Sequence, residues 1–278
     1  MPRALVVRAL TFYLPLWAFL VFLLFPFYWM LITAIKPNRD LYNLALNQLW
    51  TTRPTLAHVE TLLVRTSFLP WLWNTLVISV GSTALSLAAS LLAAYAIQRL
   101  RFRGAGALGV AIFLSYLVPP VILFIPLSRV INALGLWDHP GALILSYPTF
   151  LIPFATWLLM GYFRSIPVEL EDCARIDGAD RFQVMRHVTL PLALPGILSC
   201  LIFSFTLSWN EYLYALVFLS SSAQKTIPVG LATELVTGDV FQWGPLMAGA
   251  LLGSVPVALA YSFFVEHYVA GLTGALKE

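Results

Sequence analysis

Six runs of apolar residues, each about as long as a bilayer is thick, decide what this chain can become. They lie near Leu10–Ile35, Trp71–Ile97, Ala107–Ile131, Gly141–Phe163, Pro195–Leu219 and Gly244–His267, and clusters of charged and turn-forming residues separate them. A hydrocarbon core about 30 Å thick needs roughly 20 apolar residues per helix. Inside it every backbone polar group must be satisfied internally, which a helix does within one segment. Composition closes off the soluble alternative: 60% of the 278 residues are hydrophobic, 10% are charged, and the mean hydropathy is +0.84. A soluble domain carries about 25% charged residues. The expected fold is an all-α integral membrane protein with about six transmembrane helices, forming a single transmembrane domain over residues 1–278.

With an even number of spans both termini share a side, and the basic residues say which. Arg3, Arg8, Arg99, Arg101, Arg103, Arg164, Arg175, Arg181, Arg186 and Lys277 fall in one set of loops; Lys36, Arg39, Arg53, Arg65, Arg129 and Lys225 fall in the other. The positive-inside rule assigns the richer set, and both termini, to the cytoplasm. The first apolar run is longer than a signal-peptide core and lacks a small-residue cleavage site, so it is read as a span. The net charge of +3 is scattered and forms no stripe able to neutralise phosphates, which argues against nucleic acid as a partner. Cys173 and Cys200 are too few for a disulfide framework, and His58, His139, His187 and His267 lack metal-ligand spacing. No nucleophile–base constellation or acid–base carboxylate pair stands out, so intrinsic catalysis is not indicated.

The most polar stretch, Arg164–Leu194, has a pattern of its own. Pro167 suits a first helical position, Glu169, Glu171 and Asp172 favour the positive end of the helix dipole, and Arg175 the other. Gly178 should end that helix, and Asp180 should cap a second one carrying Phe182, Met185 and Val188 on one face. Leu190-Pro191 should stop it before the fifth span. The expected product is a helix–turn–helix whose apolar stripe has no partner within its own loop, the alternative being a solvated amphipathic loop on the membrane surface.

Asp172-Cys173-Ala174, Asp177-Gly178-Ala179 and Val188-Thr189-Leu190-Pro191 resemble the permease signature of ATP-binding-cassette importers, a Glu-Ala-Ala loop followed by a glycine and then Leu-Pro. Asp172 stands where the family usually has glutamate, and Cys173 where it has the first alanine. The resemblance implies a cytoplasmic coupling helix between spans four and five, seated in a groove of an ATPase subunit. Glu171, Asp172, Cys173, Ala174, Asp177, Gly178, Ala179, Leu190 and Pro191 are the residues it assigns to coupling. It further implies a heterodimer with a sister permease, two cytoplasmic ATPase subunits, an extracytoplasmic solute-binding protein, and residence among lipid in a bacterial or archaeal inner membrane. This chain has no phosphate-cradling Gly-x-x-x-x-Gly-Lys-Ser/Thr loop, so ATP and Mg belong to the partners and no cofactor to this chain.

Trp73-Asn74-Thr75, Ser208-Trp209-Asn210-Glu211-Tyr212, Pro228-Val229-Gly230-Leu231, Trp243-Gly244 and the tail Gly271-Leu272-Thr273 narrow the resemblance to carbohydrate permeases of the maltose and glycerol-phosphate type. The loop Ser220–Trp243, with Lys225, Glu234 and Asp239, resembles the segment that relatives extend toward the binding protein. Trp209, Asn210, Glu211, Tyr212 and Asn74 are the substrate-path candidates, since a polar group inside an apolar stretch is expensive unless it faces a cavity or a partner. The other reading makes Asn210 interhelical glue and pairs Glu211 with a base such as Lys225 or with the partner subunit. The row Ser79, Ser82, Thr83, Ser86 and Ser90 lines either a wet interior or a helix-packing surface, with packing preferred. Prolines 119, 120, 126, 148 and 153 should kink spans three and four. The rival functions are an ion-coupled transporter, an intramembrane enzyme, and an importer permease for a peptide, polyamine or phosphate ester.

Overall fold

A computed structural model of the protein describes residues 9–43, 48–100, 102–238 and 240–274, the last ten as backbone alone. Arg3, Arg8, Arg101, Asp239 and Lys277 lie outside the described residues, as do the side chains of His267 and of the Gly-Leu-Thr tail. The chain opens with a π turn, Ala9–Tyr13, and continues as α1 (Leu14–Ile35), α2 (Asn38–Leu41), α3 (Ala57–Arg65), α4 (Phe68–Arg99), α5 (Ala105–Tyr116), α6 (Pro120–Ala133), α7 (Pro140–Ser146) and α8 (Pro148–Ser165). Then come α9 (Val168–Ile176), α10 (Arg181–Val184), a second π turn (Met185–Thr189), α11 (Leu190–Leu192), α12 (Leu194–Trp209), α13 (Leu213–Phe218), α14 (Ile227–Glu234), the strands β1 (Val236–Thr237) and β2 (Val240–Phe241), and α15 (Trp243–Gly274).

Leu10–Ile35, Phe68–Arg99, Pro140–Ser165 and Trp243–Phe264 are each long and apolar enough to cross a bilayer. Two further pairs qualify only as bent spans: α5 with α6, at 97°, and Arg181–Leu192 with α12, at 76°. Among the described residues the count reaches six if each bent pair is one span, but the expected third and fifth spans are not straight. Pro119 and Pro120 break the third, because neither has an N–H to continue the helix. The fifth stops at Trp209 and resumes at Leu213.

One compact unit comprises Met1–Leu69 with Gly230–Val255. In it α3 buries His58 and Leu62, and His58 Nε2 lies 2.8 Å from the Lys36 carbonyl. Gly244 sits against the His58 ring and Gly249 against Leu231, positions where a Cβ would overlap its neighbour. The β1–β2 hairpin is antiparallel, with Val236 opposite Phe241.

The other unit comprises Pro70–Val229 with Pro256–Glu278. It holds one buried cluster around Ile78, Leu143, Tyr147, Leu151, Tyr214 and Phe218, and another around Ala94, Leu159, Phe163, Ala193 and Cys200. Helix α4 is polar on the inside: Ser79, Ser82, Ser86 and Ser90 are fully buried, whereas Val80, Leu85 and Leu92 are exposed. When lipid is the solvent, burying apolar area no longer selects the inward face, and small residues that allow close helix approach do. Ser82 and Ser208 hydroxyls meet at 2.9 Å and Ser90 donates to the Ile152 carbonyl, in agreement with the packing reading of this row.

Candidate functional site

The 164–194 hairpin is built from two capped ends joined back to back. Pro167, with ψ of 131°, is the N-cap of α9 and not its first helical residue as the sequence pattern had it. At the other end Gly178 takes φ of +92°, its N–H reaching the Arg175 carbonyl while the Ala179 N–H reaches that of Ala174. These are the paired bonds of a Schellman cap, which needs a left-handed residue and so favours glycine. Two residues on, the Asp180 side chain accepts from the Gln183 N–H and the Gln183 side chain accepts from the Asp180 N–H, each at 2.8 Å, a capping box that starts α10. The turn is thus hydrogen-bonded on both flanks and stiff.

Leu190-Pro191 does not stop the second helix. The π turn Met185–Thr189 widens the coil just before Pro191, a residue with no N–H to give to a carbonyl four back, and the helix runs on to Leu192. The bend comes at Ala193, which is buried among Leu159, Phe163 and Cys200. The apolar face also differs from expectation. Val184 and Thr189 are buried, and Met185 and Leu190 pack on the same cluster, whereas Phe182 is 62% exposed.

Glu171 faces inward. Its Oε1 accepts from Arg99 Nε at 2.7 Å and from the Thr189 hydroxyl at 2.8 Å, and Arg99 also donates to the Ile166 carbonyl at 2.9 Å. Both charged side chains are 7% exposed. A buried pair of this kind depends on further hydrogen bonds to its two charges, which Thr189 supplies to the carboxylate and the Ile166 carbonyl to the guanidinium. Asp172, Cys173, Asp177 and Gly178 lie on the exposed side, and Ala174 and Ala179 are half-buried. Leu170, Ile176 and Phe182 are exposed apolar side chains of the same hairpin, Ile176 being 85% exposed. Arg99 counts in the sequence only as a topology marker and Thr189 only as part of the Leu-Pro motif; their partnership with Glu171 was not read there.

At a different place in the same unit the segment 218–227 is clasped from two directions. Trp71 Nε1 donates to the Ser222 carbonyl at 2.6 Å, Asn74 Nδ2 to Ala223 and Lys225 carbonyls at 2.8 and 3.1 Å, and the Thr75 hydroxyl accepts from the Ile227 N–H at 2.9 Å. On the other flank Asp138 Oδ1 accepts from the backbone N–H groups of Ser220 and Ser221 at 2.7 and 2.9 Å, and Oδ2 from the Ser221 hydroxyl. Partial burial pushes the Asp138 carboxyl up, but those three donors outweigh it and hold the group below its ordinary value. Asn74 therefore spends its amide hydrogens on backbone carbonyls of this segment. No sequence pattern flagged Asp138, whose φ of 57° is set by tertiary contacts.

The four residues Trp209–Tyr212 do not act alike. Trp209 is buried and packs on Phe205 with ring centroids 5.4 Å apart. Asn210 is exposed and donates to the Thr206 carbonyl, and Tyr212 is 40% exposed. Glu211 does not pair with Lys225. Its two oxygens accept the backbone N–H groups of Tyr214 and Ala215 at 2.8 and 3.1 Å, which opens α13 after the break. The Tyr214 hydroxyl in turn donates to the Pro120 carbonyl at the break between α5 and α6.

A helical membrane subunit with broken spans and a capped hairpin before its fifth span is the architecture of importer permeases. The chain is matched over residues 86–273 by the family of binding-protein-dependent transport system inner membrane components, and it belongs to that family. It is 36% identical over 270 residues, 96% of its length and 95% of the relative's, to the inner membrane ABC transporter permease protein YcjP of Escherichia coli. The sulfoquinovosyl glycerol transport system permease protein SmoH of Agrobacterium fabrum is 36% identical over 91% of this chain and 89% of its own. The trehalose/maltose permease protein MalG of Thermococcus litoralis is 31% identical over 91% of each. Among solved structures, a bacterial ABC transporter that imports the acidic polysaccharide alginate superposes with a TM-score of 0.80 over 96% of this chain and 98% of that one, at 21% identity, a likeness of fold. The chain is an inner-membrane permease subunit of an ATP-binding-cassette importer, and not an enzyme.

Proposed function

We propose that this chain pairs with a sister permease to carry a sugar or related small polar solute inward, and that residues 1–278 act as one permease domain. Two cytoplasmic ATPase subunits hold the ATP and Mg and supply the energy; a solute-binding protein outside supplies the cargo. Both termini and the 164–194 hairpin face the cytoplasm, and the segment 218–227 faces the binding protein. The sugar reading draws on relatives named for sulfoquinovosyl glycerol, diacetylchitobiose and trehalose or maltose.

The observation that carries the coupling role is the division of labour in the hairpin. Leu170, Ile176 and Phe182 are exposed beside small Cys173 and Gly178, while Glu171 is buried on Arg99 and Thr189. The outer surface seats in the ATPase groove; the inner one, including Leu190, transmits its movement to α4 and α12, and Pro191 lies where the hairpin runs on toward α12. In the path, exposed Asn210 and Tyr212 meet solute, while Trp209, Glu211 and Asn74 hold them and the neighbouring segment in place.

The test replaces Ile176 by Asp and Phe182 by Ser in the assembled transporter. ATPase subunits should be lost from the purified complex, or solute-stimulated hydrolysis should fall about tenfold, with the permease pair still inserted. A contact of about 1.5–3 kcal/mol for a buried large apolar side chain sets that scale. Full activity in both variants would refute the docking role. Cargo is identified separately, by finding which sugar on the binding protein stimulates hydrolysis.

A further inference from the structure

The C-terminal half of α6 and the loop after it form a pocket of about 360 Å³ lined by Ser128, Arg129, Asn132 and Trp137. Its chemistry is that of donors without acceptors. The Arg129 guanidinium, the Asn132 carboxamide and the Trp137 indole N–H have no hydrogen-bond partner among the described residues, and no acid pairs with Arg129 there. The nearest acid in sequence, Asp138, has both oxygens committed to Ser220 and Ser221. Trp137 is held in place by an edge contact with Phe218, ring centroids 6.0 Å apart. Arg129 stands near the end of its span, exposed and without an acid partner among the described residues, so its charge is free to take an anion at the membrane boundary.

The rest of the helix says what that anion is attached to. At 100° per residue, Ile122, Ile125, Arg129 and Asn132 fall on one face of α6. Ile122 and Ile125 are 62% and 58% exposed, and Arg129 and Asn132 are exposed one to two turns further on. The face is therefore apolar along its first part and cationic at its end, with a tryptophan beside the cation, which matches a lipid: acyl chain on the isoleucines, headgroup in the pocket.

We propose that Arg129, Asn132 and Trp137 bind the phosphate of an anionic phospholipid. The guanidinium fork takes two phosphate oxygens, and the carboxamide and indole N–H supply further donors. The site goes beyond solute transport and makes this subunit sensitive to the lipid around it.

The experiment uses the assembled transporter, washed in detergent and titrated with phosphatidylglycerol or phosphatidylcholine, with bound lipids counted by native mass spectrometry. Wild type should retain phosphatidylglycerol over phosphatidylcholine, and Arg129→Gln should weaken that retention about tenfold, the scale of one charge-assisted hydrogen bond. Arg129→Lys should fall between them, because it keeps charge and loses the fork. Trp137→Phe keeps the ring and removes the N–H, and serves as a second variant if Arg129→Gln assembles poorly. Inorganic phosphate is titrated in parallel. Phosphate binding that depends on Arg129, with lipid retention that does not, would mean a soluble oxyanion and would overturn the lipid assignment. Retention unchanged in every variant, with no Arg129-dependent phosphate binding, would overturn the site.

Discussion

Arg99 and Glu171 meet at 2.7 Å with both side chains 7% exposed, and the Thr189 hydroxyl donates to the same carboxylate oxygen. One atom thus ties the last residue of α4, the middle of α9 and the end of the π turn. A hairpin fastened at that point moves as a body with the helix that ends in Arg99.

Removing the carboxylate should therefore loosen the hairpin more than removing any residue on its exposed side. Glu171→Ala leaves a buried guanidinium uncompensated, a change that costs about 3–5 kcal/mol in comparable sites. Thermal unfolding of the purified complex should shift down, and protease cleavage within 164–194 should speed up. Glu171→Gln keeps an acceptor for Thr189 and should lie between. Exchanging the two charges should not rescue, because the Ile166 carbonyl that Arg99 now satisfies would face an acid. An Ala variant as stable and protease-resistant as wild type would refute the fastening role.

Gly178 separates conformation from contact. Nothing lies within 4 Å of a Cβ built there, so Gly178→Ala meets only the backbone penalty of φ near +92°. That penalty is about 1–2 kcal/mol. Asn, which tolerates the left-handed region, should cost less. Gly178→Asp adds a charge to the exposed turn, and it should abolish assembly with the ATPase or leave hydrolysis without uptake. Uptake per ATP hydrolysed, compared across the three variants, checks this ordering; normal uptake by Gly178→Asp would break it.

The Asp138 clasp carries a pH dependence whose sign is set by its depressed carboxyl. A folded-state value below the ordinary 3.8 means the clasp contributes fully above that value and is lost as pH falls through the lower folded one. Between neutrality and about pH 5, amide exchange at Ser220 and Ser221 should hence show no clasp-linked change. Asp138→Asn, which tolerates the positive φ but offers one acceptor oxygen in place of two, should raise exchange at both residues at every pH. Protection lost already near pH 6 in wild type would contradict this.

Spans, the hairpin and its two caps were legible because they follow from local rules: run length, a glycine where φ must be positive, and an aspartate ahead of a helical run; the Gln183 half of the capping box came from the structure. What was illegible depended on partners far along the chain. Glu171 reads as one acid among three at a helix start, and only its facing Arg99 and Thr189 make it internal. Asn74 reads as a polar group in an apolar span until the carbonyls of Ala223 and Lys225 are beside it. The serine face of α4 was ambiguous for a solvent reason, since hydropathy does not separate inside from outside in lipid. The fifth span was drawn through Asn210–Tyr212 because hydropathy averages over a break that Glu211 creates with hydrogen bonds.

That break yields a test separating a structural acid from a solute-binding one. Both Glu211 oxygens are engaged by the Tyr214 and Ala215 N–H groups, whereas the Asn210 side chain is exposed. Glu211→Ala removes the acceptors at the start of α13 and should cost about 1 kcal/mol, the usual value of a helix-start acceptor. Glu211→Gln, with one acceptor oxygen left, should lose about half of that. In neither should the solute concentration for half-maximal stimulated hydrolysis change, because the group it removes is turned to backbone. Asn210→Ala leaves the cap intact and should raise that concentration with stability unchanged. The opposite pattern, a shifted half-saturation for Glu211→Gln and none for Asn210→Ala, would move the solute contact from the exposed amide to the acid.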